Sequence, residues 1–498
     1  MNQEINKKYV LLLIGNICLG SLYFGYNMGV YNTLSIVMVY LNGWKGGFEE
    51  TLYPTLITIS ASVGCIVSSP LGVQALQYTQ GNLRKACIYL DLIGVASVLF
   101  QILDSSFIFL LLGRFVSGLV IGLNCSYIST YITEFSPVSM RGITGCMNQI
   151  FICSGLFLSF ALGAFLPSKQ DLSQMESYTD QSQWRFNLGY SIIFGLARAY
   201  FLSTTFSYDT PSYMHKNGNI VDLKAALQAI YTRQEDVKNI IKQLDDAQDE
   251  TNKPVSKHFD TPVTEMGQNP IPFDNRNTKS YKRRFYLGLF FSISNQLTGI
   301  NAVMFYSNKI FEDSHQEAYA GIFTSFLGIV LILSTVYGAI ISEKYGRRQM
   351  IMKGVSAMTG CLFLMSYFSS QDNFVLSFGS ICAYLFFFSI SQGPLVWAYQ
   401  AEILDQIGLS ISTCVIWIFT LLVGLVFPYL VLGFGVGGAF IFFAICSLLS
   451  LIYFNQELIE TKGKTKEQIA LEFEGISADQ AERRAQKMEK PLLDDNQL

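Results

Sequence analysis

The sequence predicts an all-α membrane protein with twelve transmembrane helices in two pseudo-symmetric six-helix bundles. Three observations predict it: too little charge for a soluble chain, twelve apolar segments of membrane-crossing length, and like signals recurring at similar spacing in the two halves. Only 14% of the 498 residues are charged, against about 25% in soluble domains. Half are hydrophobic and 14% aromatic, and 40 glycines, 27 tyrosines and 39 phenylalanines suit helices that pack closely and meet lipid headgroups with aromatic rings. A net charge of -3 offers no field to gather nucleic acid, so that class of partner is excluded, and the lipid bilayer takes its place. The ten cysteines lie in or beside apolar runs with no CxxC pair and read as small packing residues.

A crossing helix needs about 20 apolar residues. The segments centre near Cys18, Ser62, Gly94, Leu119, Gly155, Leu196, Phe291, Val330, Phe363, Phe386, Thr420 and Phe442. The first continues from Val10 to about Tyr31 without a small-residue cleavage site, which makes it a membrane span and not a removable signal peptide. Between the sixth and seventh lies a polar stretch holding twelve of the 34 Lys and Arg. Apolar residues recur there at helical spacing (Ile220, Leu223, Ala226, Leu227, Ile230, Ile240, Ile241, Leu244), which predicts one or two surface helices between Asn219 and Gln248. From Asp249 to Ser280 the composition reads as a mobile linker. The expected organisation is a first bundle over 1–207, a cytoplasmic linker over 208–283, a second bundle over 284–455 and a cytoplasmic tail over 456–498.

Basic residues set the orientation. Lys7, Lys8, Arg84, Lys85, Arg141, the central stretch, Lys344, Arg347, Arg348 and the tail share one side, and Lys45, Lys169, Lys309 and Arg185 the other. The positive-inside rule then places both termini in the cytoplasm. Across the halves, Lys85 answers to Arg348 (348 − 85 = 263), Glu134 to Glu402 (402 − 134 = 268) and Asp209 to Glu460 (460 − 209 = 251). Such repeats place a binding site between the halves near the bilayer midplane.

Nine ordered motifs carry a resemblance along nearly the whole chain. They are Phe24-Gly25-Tyr26-Asn27-Met28-Gly29-Val30-Tyr31-Asn32; Gly113-Arg114-Phe115; Glu134-Phe135-Ser136-Pro137 with Arg141-Gly142; Gln149; and Asp209-Thr210-Pro211. The second half adds Asn295-Gln296-Leu297-Thr298-Gly299-Ile300-Asn301-Ala302-Val303, Glu343-Lys344-Tyr345-Gly346-Arg347-Arg348, Gly393-Pro394-Leu395-Val396-Trp397 and Glu460-Thr461-Lys462-Gly463-Lys464-Thr465. With these the chain resembles the sugar porter branch of the major facilitator superfamily, and in its first-span motif it is most similar to the facilitative glucose carriers. The resemblance implies the major facilitator fold, a multi-pass protein of the plasma membrane, and carriage of a hexose or related sugar by alternating access, with no cofactor and no enzymatic chemistry.

The chemistry of a sugar site is independent of that resemblance. Hydroxyls both donate and accept, so a dry site needs carboxamides, plus an aromatic face for the ring's C–H side. Gln149, Asn295, Gln296 and Asn301 supply amides and Trp397 a face. Gln296 and Asn301 are five residues apart, which turns them roughly 140° from one another on a straight helix. They could still line one cavity if the seventh span is broken near Gly299, as a helix feeding a substrate site often is. The plainer reading of these residues is interhelical hydrogen bonding for the amides and packing for Trp397.

Further roles follow from the resemblance. Glu134, Arg141, Glu343, Arg347, Arg348 and Glu402 are expected at the inner mouth as ion pairs that hold the outward-open state, or, more plainly, as solvated loop charges. Two departures thin that latch: Tyr78-Thr79-Gln80-Gly81 lacks the usual Asp, and Leu409 stands where Arg is usual. Asn27 occupies the position of the Asp of proton-coupled members, and an amide cannot titrate, so passive uniport is expected. The alternatives are a proton symporter using another carboxylate and a transporter-like sugar sensor. Leu331 and Ser389 replace an Asn and a Glu that usually meet the sugar.

Three charges lie inside spans. Arg198 reads either as paired within its bundle or as a ligand for an anionic substrate. Asp91 is expected to face water or Lys85, and Arg114 to brace helices. Asn124-Cys125-Ser126 matches a glycosylation pattern but sits within the fourth span. His215, His258 and His315 fall in loops and suggest no metal site.

Overall fold

The computed structural model describes residues 4–174, 182–252, 276, 278–313, 318–342, 344–464 and 466–475. The expected linker segment 253–275 and the histidines His258 and His315 lie outside the described residues. The first five spans are Lys7–Leu41, Phe48–Ser68, Leu83–Leu103, Phe107–Phe135 and Arg141–Gly163. The sixth is divided into Ser182–Gly189 and Ile192–Thr204, the seventh into Lys279–Leu297 and Ile300–Asp313. Ala320–Ser342 and Arg347–Ser370 are the eighth and ninth, and Phe374–Ile390 with Gln392–Ile403 form the tenth. The run Gln406–Glu457 holds the eleventh and twelfth, parted at Gly435, whose φ of 70° and ψ of 174° no helix allows.

Nine helices among the described residues are long and apolar enough to cross a bilayer. The ninth of these carries two crossings, and the divided sixth and seventh complete the expected twelve.

Pairing within each half follows one scheme. The first span packs on the fifth as the seventh packs on the eleventh, the second on the fourth as the eighth on the tenth, and the third on the sixth as the ninth on the twelfth. In lipid, helices associate through close packing and not through water exclusion, so small residues mark the contacts. Gly25 faces the Ile152 carbonyl and Gly155 the Leu22 carbonyl, a reciprocal seat for the first and fifth spans, while Gly118 sits on the Ala61 carbonyl. The halves meet along three seams: the fifth span on the eighth, the second on the eleventh, and the first on the part of the seventh beyond its break.

The surface helices form where expected. Ile220–Ile230 buries Leu223, Ala226, Leu227 and Ile230, and Gln234–Asn252 follows it. Residues 4–6 pair antiparallel with this element: the Asn6 N–H donates to the Ile230 carbonyl at 2.8 Å and the Thr232 N–H to the Glu4 carbonyl at 2.9 Å. On the second half, Lys466–Phe473 is fastened by the Ser280 hydroxyl to the Ala470 carbonyl at 2.6 Å.

Candidate functional site

The seventh span breaks at Gly299, the point at which a break would let the two amides line one cavity. Gly299 adopts φ 84°, a left-handed conformation that costs a residue with a Cβ about 1–2 kcal/mol. The Thr298 hydroxyl closes the first part by donating to the Asn295 carbonyl at 2.7 Å, and the helix restarts at Ile300. The jog erases the angular separation of Gln296 and Asn301, whose side chains are hydrogen bonded to one another. Gln296 Nε2 donates to Asn295 Oδ1 at 3.0 Å, Asn301 Nδ2 reaches Thr420 Oγ1 at 3.3 Å, and Asn295 Nδ2 meets the Gln392 carbonyl at 3.1 Å. The tenth span is itself interrupted at Ser391 (φ -128°, ψ -96°), so the two broken helices meet and are pinned by the Tyr384 hydroxyl on the Thr298 carbonyl at 3.0 Å. Three of the expected amides thus form one connected set.

The other expected residues stand apart from that set. Gln149 is half-buried on the fifth span, donating to Cys153 Sγ at 3.6 Å. Asn27 turns into the first half, where its Nδ2 donates to the Tyr23 carbonyl at 3.0 Å and its own carbonyl receives Arg114. Trp397 is 38% exposed on the second limb of the tenth span. Trp417, which sequence reasoning passed over, is 5% exposed and packs its ring 5.8 Å from that of Phe24, across the boundary between the halves. It lies one helical turn before Thr420, the partner of Asn301.

The two ends of the boundary differ. Away from the termini, Asn32 of the first span clasps the seventh beyond its break, donating to Ser307 Oγ at 2.7 Å and the Met304 carbonyl at 3.0 Å and accepting from the Asn308 N–H at 3.0 Å. At the end bearing the termini, the charges serve their own halves. Arg84 pairs with Asp209 at 3.1 Å, and Glu134 accepts the Ser212 N–H at 3.0 Å. In the second half Arg347 pairs with Glu402 at 3.4 Å, Thr461 donates to Glu402 at 2.5 Å, and Glu460 takes the N–H groups of Arg347 and Arg348 at 2.8 and 3.1 Å. Arg348 caps the Leu458 carbonyl at 2.9 Å. Glu343 and the Arg141 side chain lie outside the described residues. Where an Asp was missed in the loop after the second span, Thr79 bridges the carbonyls of Leu76 and Asn82 at 3.0 Å each.

Asp405, in the loop between the tenth and eleventh spans, caps the run it precedes. Burial pushes its carboxyl upward, and hydrogen bonds from the Gly408 N–H (2.8 Å), the Tyr281 hydroxyl (3.0 Å) and Arg276 (3.3 Å) outweigh that and hold it below the ordinary carboxylate range.

The intramembrane charges correct one expectation. Asp91 faces neither water nor Lys85: it is 5% exposed and paired with Arg198, Nη2 to Oδ1 at 2.6 Å and Nε to both oxygens at 2.9 Å. Arg198 also donates to Asn124 Oδ1 at 2.9 Å and the Ile17 carbonyl at 3.4 Å, so it ties four helices together inside the first half. An uncompensated guanidinium in this setting is costly, and the pairing offsets much of that cost, which fits the reading of Arg198 as paired within its bundle. Arg114 braces the first and fourth spans, as expected, with its guanidinium 4.7 Å from the Tyr31 ring.

Residues 14–473 match the family model described as sugar (and other) transporter. The chain is similar to facilitated glucose transporter member 1 of solute carrier family 2 from Gallus gallus, 28% identical over 495 residues that cover 95% of each chain. It is also similar to member 3 from Rattus norvegicus, 28% identical over 92% of this chain and 91% of that protein, and to plastidic glucose transporter 4 from Arabidopsis thaliana, 25% identical over 93% and 80%. Among solved structures, the partially occluded inward-open xylose transporter XylE from E. coli superposes with a TM-score of 0.74 at 20% identity, over 92% of this chain and 100% of that one.

Proposed function

The chain belongs to the family of sugar (and other) transporters, and from that premise we propose that it carries a hexose or related sugar down its gradient by alternating access. The observation that carries this reading is the break at Gly299, which gathers Asn295, Gln296 and Asn301 into one hydrogen-bonding set beside the boundary between two six-helix bundles of the major facilitator fold. A sugar entering there exchanges amide–amide bonds for amide–hydroxyl bonds, so the site is satisfied loaded or empty. Gln149 approaches from the first half and Trp417 supplies an aromatic face. Asn27 is buried inside the first half and, being an amide, offers no titratable proton.

Alternating access then consists of rocking the two halves about their seams. The conformation described is sealed by Asn32 at the end away from the termini. With both termini cytoplasmic, that sealed end is the outer one and the carrier is open inward. In the opposite state Asn32 releases the seventh span, and Glu134, Arg141, Glu343, Arg347, Arg348 and Glu402 come together at the inner mouth. The division into bundles 1–207 and 284–455 joined by a cytoplasmic linker, residence in the plasma membrane and the absence of covalent chemistry belong to the same reading.

Asp91 is the feature that would favour a proton symporter, but its carboxylate is committed to Arg198 within one half. Uniport is therefore the better reading. Proteoliposomes holding the full chain should equilibrate labelled hexose and stop there; accumulation above equilibrium under an inward proton gradient would overturn uniport, and binding without flux would indicate a sensor.

A further inference from the structure

Gln149 is a two-faced ligand whose amide presents a donor and an acceptor at opposite corners, and a 180° turn about its last bond exchanges them. Which corner meets a substrate depends on what holds the other. Among the described residues its side chain has one protein partner: Nε2 donates to Cys153 Sγ, one helical turn further along the fifth span, at 3.6 Å. The same sulfur lies 3.4 Å from Thr335 Oγ1 on the eighth span, in the other half. Cys153 and Thr335 are 3% and 4% exposed, whereas Gln149 is only half-buried. Gln149, Cys153 and Thr335 therefore form a chain that starts at the half-open amide and ends across the bundle boundary.

We propose that Cys153 is a positioning residue that fixes Gln149 with its carbonyl oxygen toward the substrate, and so makes the site select a sugar hydroxyl that donates at that point. The assignment rests on the reading of Gln149 as a sugar ligand. Sulfur is a weak, polarizable acceptor, so its hold is enough to choose between two amide orientations without making the amide costly to use. Thr335 sets where the sulfur sits, which registers the amide against the second half as well as the first.

The test uses the full-length carrier in proteoliposomes and initial rates of labelled hexose uptake. Cys153→Val removes the acceptor and adds one methyl group's bulk; KM is expected to rise about three- to tenfold with kcat nearly unchanged, the loss of a bond made equally in the bound and transition states. Cys153→Ser restores an acceptor and should return KM to near the wild-type value. Gln149→Ala raises KM by itself, and Cys153→Val added to it should change nothing further, because the sulfur acts through the amide. Should Cys153→Val fold poorly by thermal unfolding, Cys153→Ala takes its place. A wild-type KM in the folded Cys153→Val or Cys153→Ala carrier, or a full additional effect on the Gln149→Ala background, overturns the proposal while leaving sugar carriage intact. An unchanged KM in Gln149→Ala overturns the role of Gln149 and this proposal with it. Wild-type vesicles without flux would sink the carrier reading itself.

Discussion

The Asn32 side chain lies 2.7 Å from the Ser307 hydroxyl, and with the Met304 carbonyl and the Asn308 N–H it makes three hydrogen bonds across the boundary between the halves. At about 0.5–1.5 kcal/mol each, the clasp weighs on the balance of states by roughly 2 kcal/mol. Asn32→Ala should move the population toward release of the seventh span. Amide hydrogen exchange over Ile300–Asp313, the Asn308 N–H above all, is expected to speed about tenfold or more, while exchange over Lys279–Leu297 stays as it was. Equal exchange in wild type and variant would show that the clasp does not hold the seal.

Arg198 should prove structural and not a substrate ligand. Replacing it with Leu strands Asp91 in the interior, and breaking a buried pair from one side costs about 3–5 kcal/mol. Replacing both, as Arg198→Leu with Asp91→Leu, removes the stranded charge and should recover most of the thermal stability. Hexose uptake per folded carrier should match wild type in the double variant; a large rise in KM there would return Arg198 to the substrate path.

Gly299→Ala tests the break directly. The new Cβ meets a strained φ and the Phe443 ring, 2.8 Å from where it would be built. The helix is expected to straighten or shift, Gln296 and Asn301 to separate, and hexose KM to rise at least tenfold in protein that still elutes as a monodisperse species. Uptake kinetics identical to wild type would dissociate the break from the site.

Asp405 sets a stability contribution with a definite pH window. Its carboxyl is held below the ordinary value, so the stabilisation is complete above the unfolded-state pKa near 4 and fades as pH falls through the lower folded value. Asp405→Ala, which removes a helix cap, should cost about 1 kcal/mol at neutral pH. Thermal unfolding across a pH series should show the gap between wild type and variant closing below about pH 4, and a constant gap would assign the loss to packing.

The spans were legible because a bilayer demands long apolar segments whatever their partners, and the break at Gly299 only as a condition, the one under which two amides five residues apart could line one cavity. The pairing of Asp91 with Arg198 was not legible: the residues are 107 positions apart, on spans whose adjacency only the packed bundle establishes. Trp417 was hidden for a related reason, since one aromatic ring among so many is marked only by what faces it. Asn32 stood in the first-span motif, yet its role depends on the seventh span being broken, so that three groups beyond the break present themselves to a single amide. A list of charges near the termini does not say which conformation is in view, and in this one each described pair stays within its own half.

The short antiparallel clasp of residues 4–6 on 230–232 makes Ile220–Ile230 a passenger of the first half, as the Ser280 bond makes Lys466–Phe473 a passenger of the second. Each half therefore carries a rigid pointer outside the membrane. The distance between the two pointers is a lever that magnifies a few degrees of rocking into a length that paired probes can read, without a label placed anywhere in the transport path.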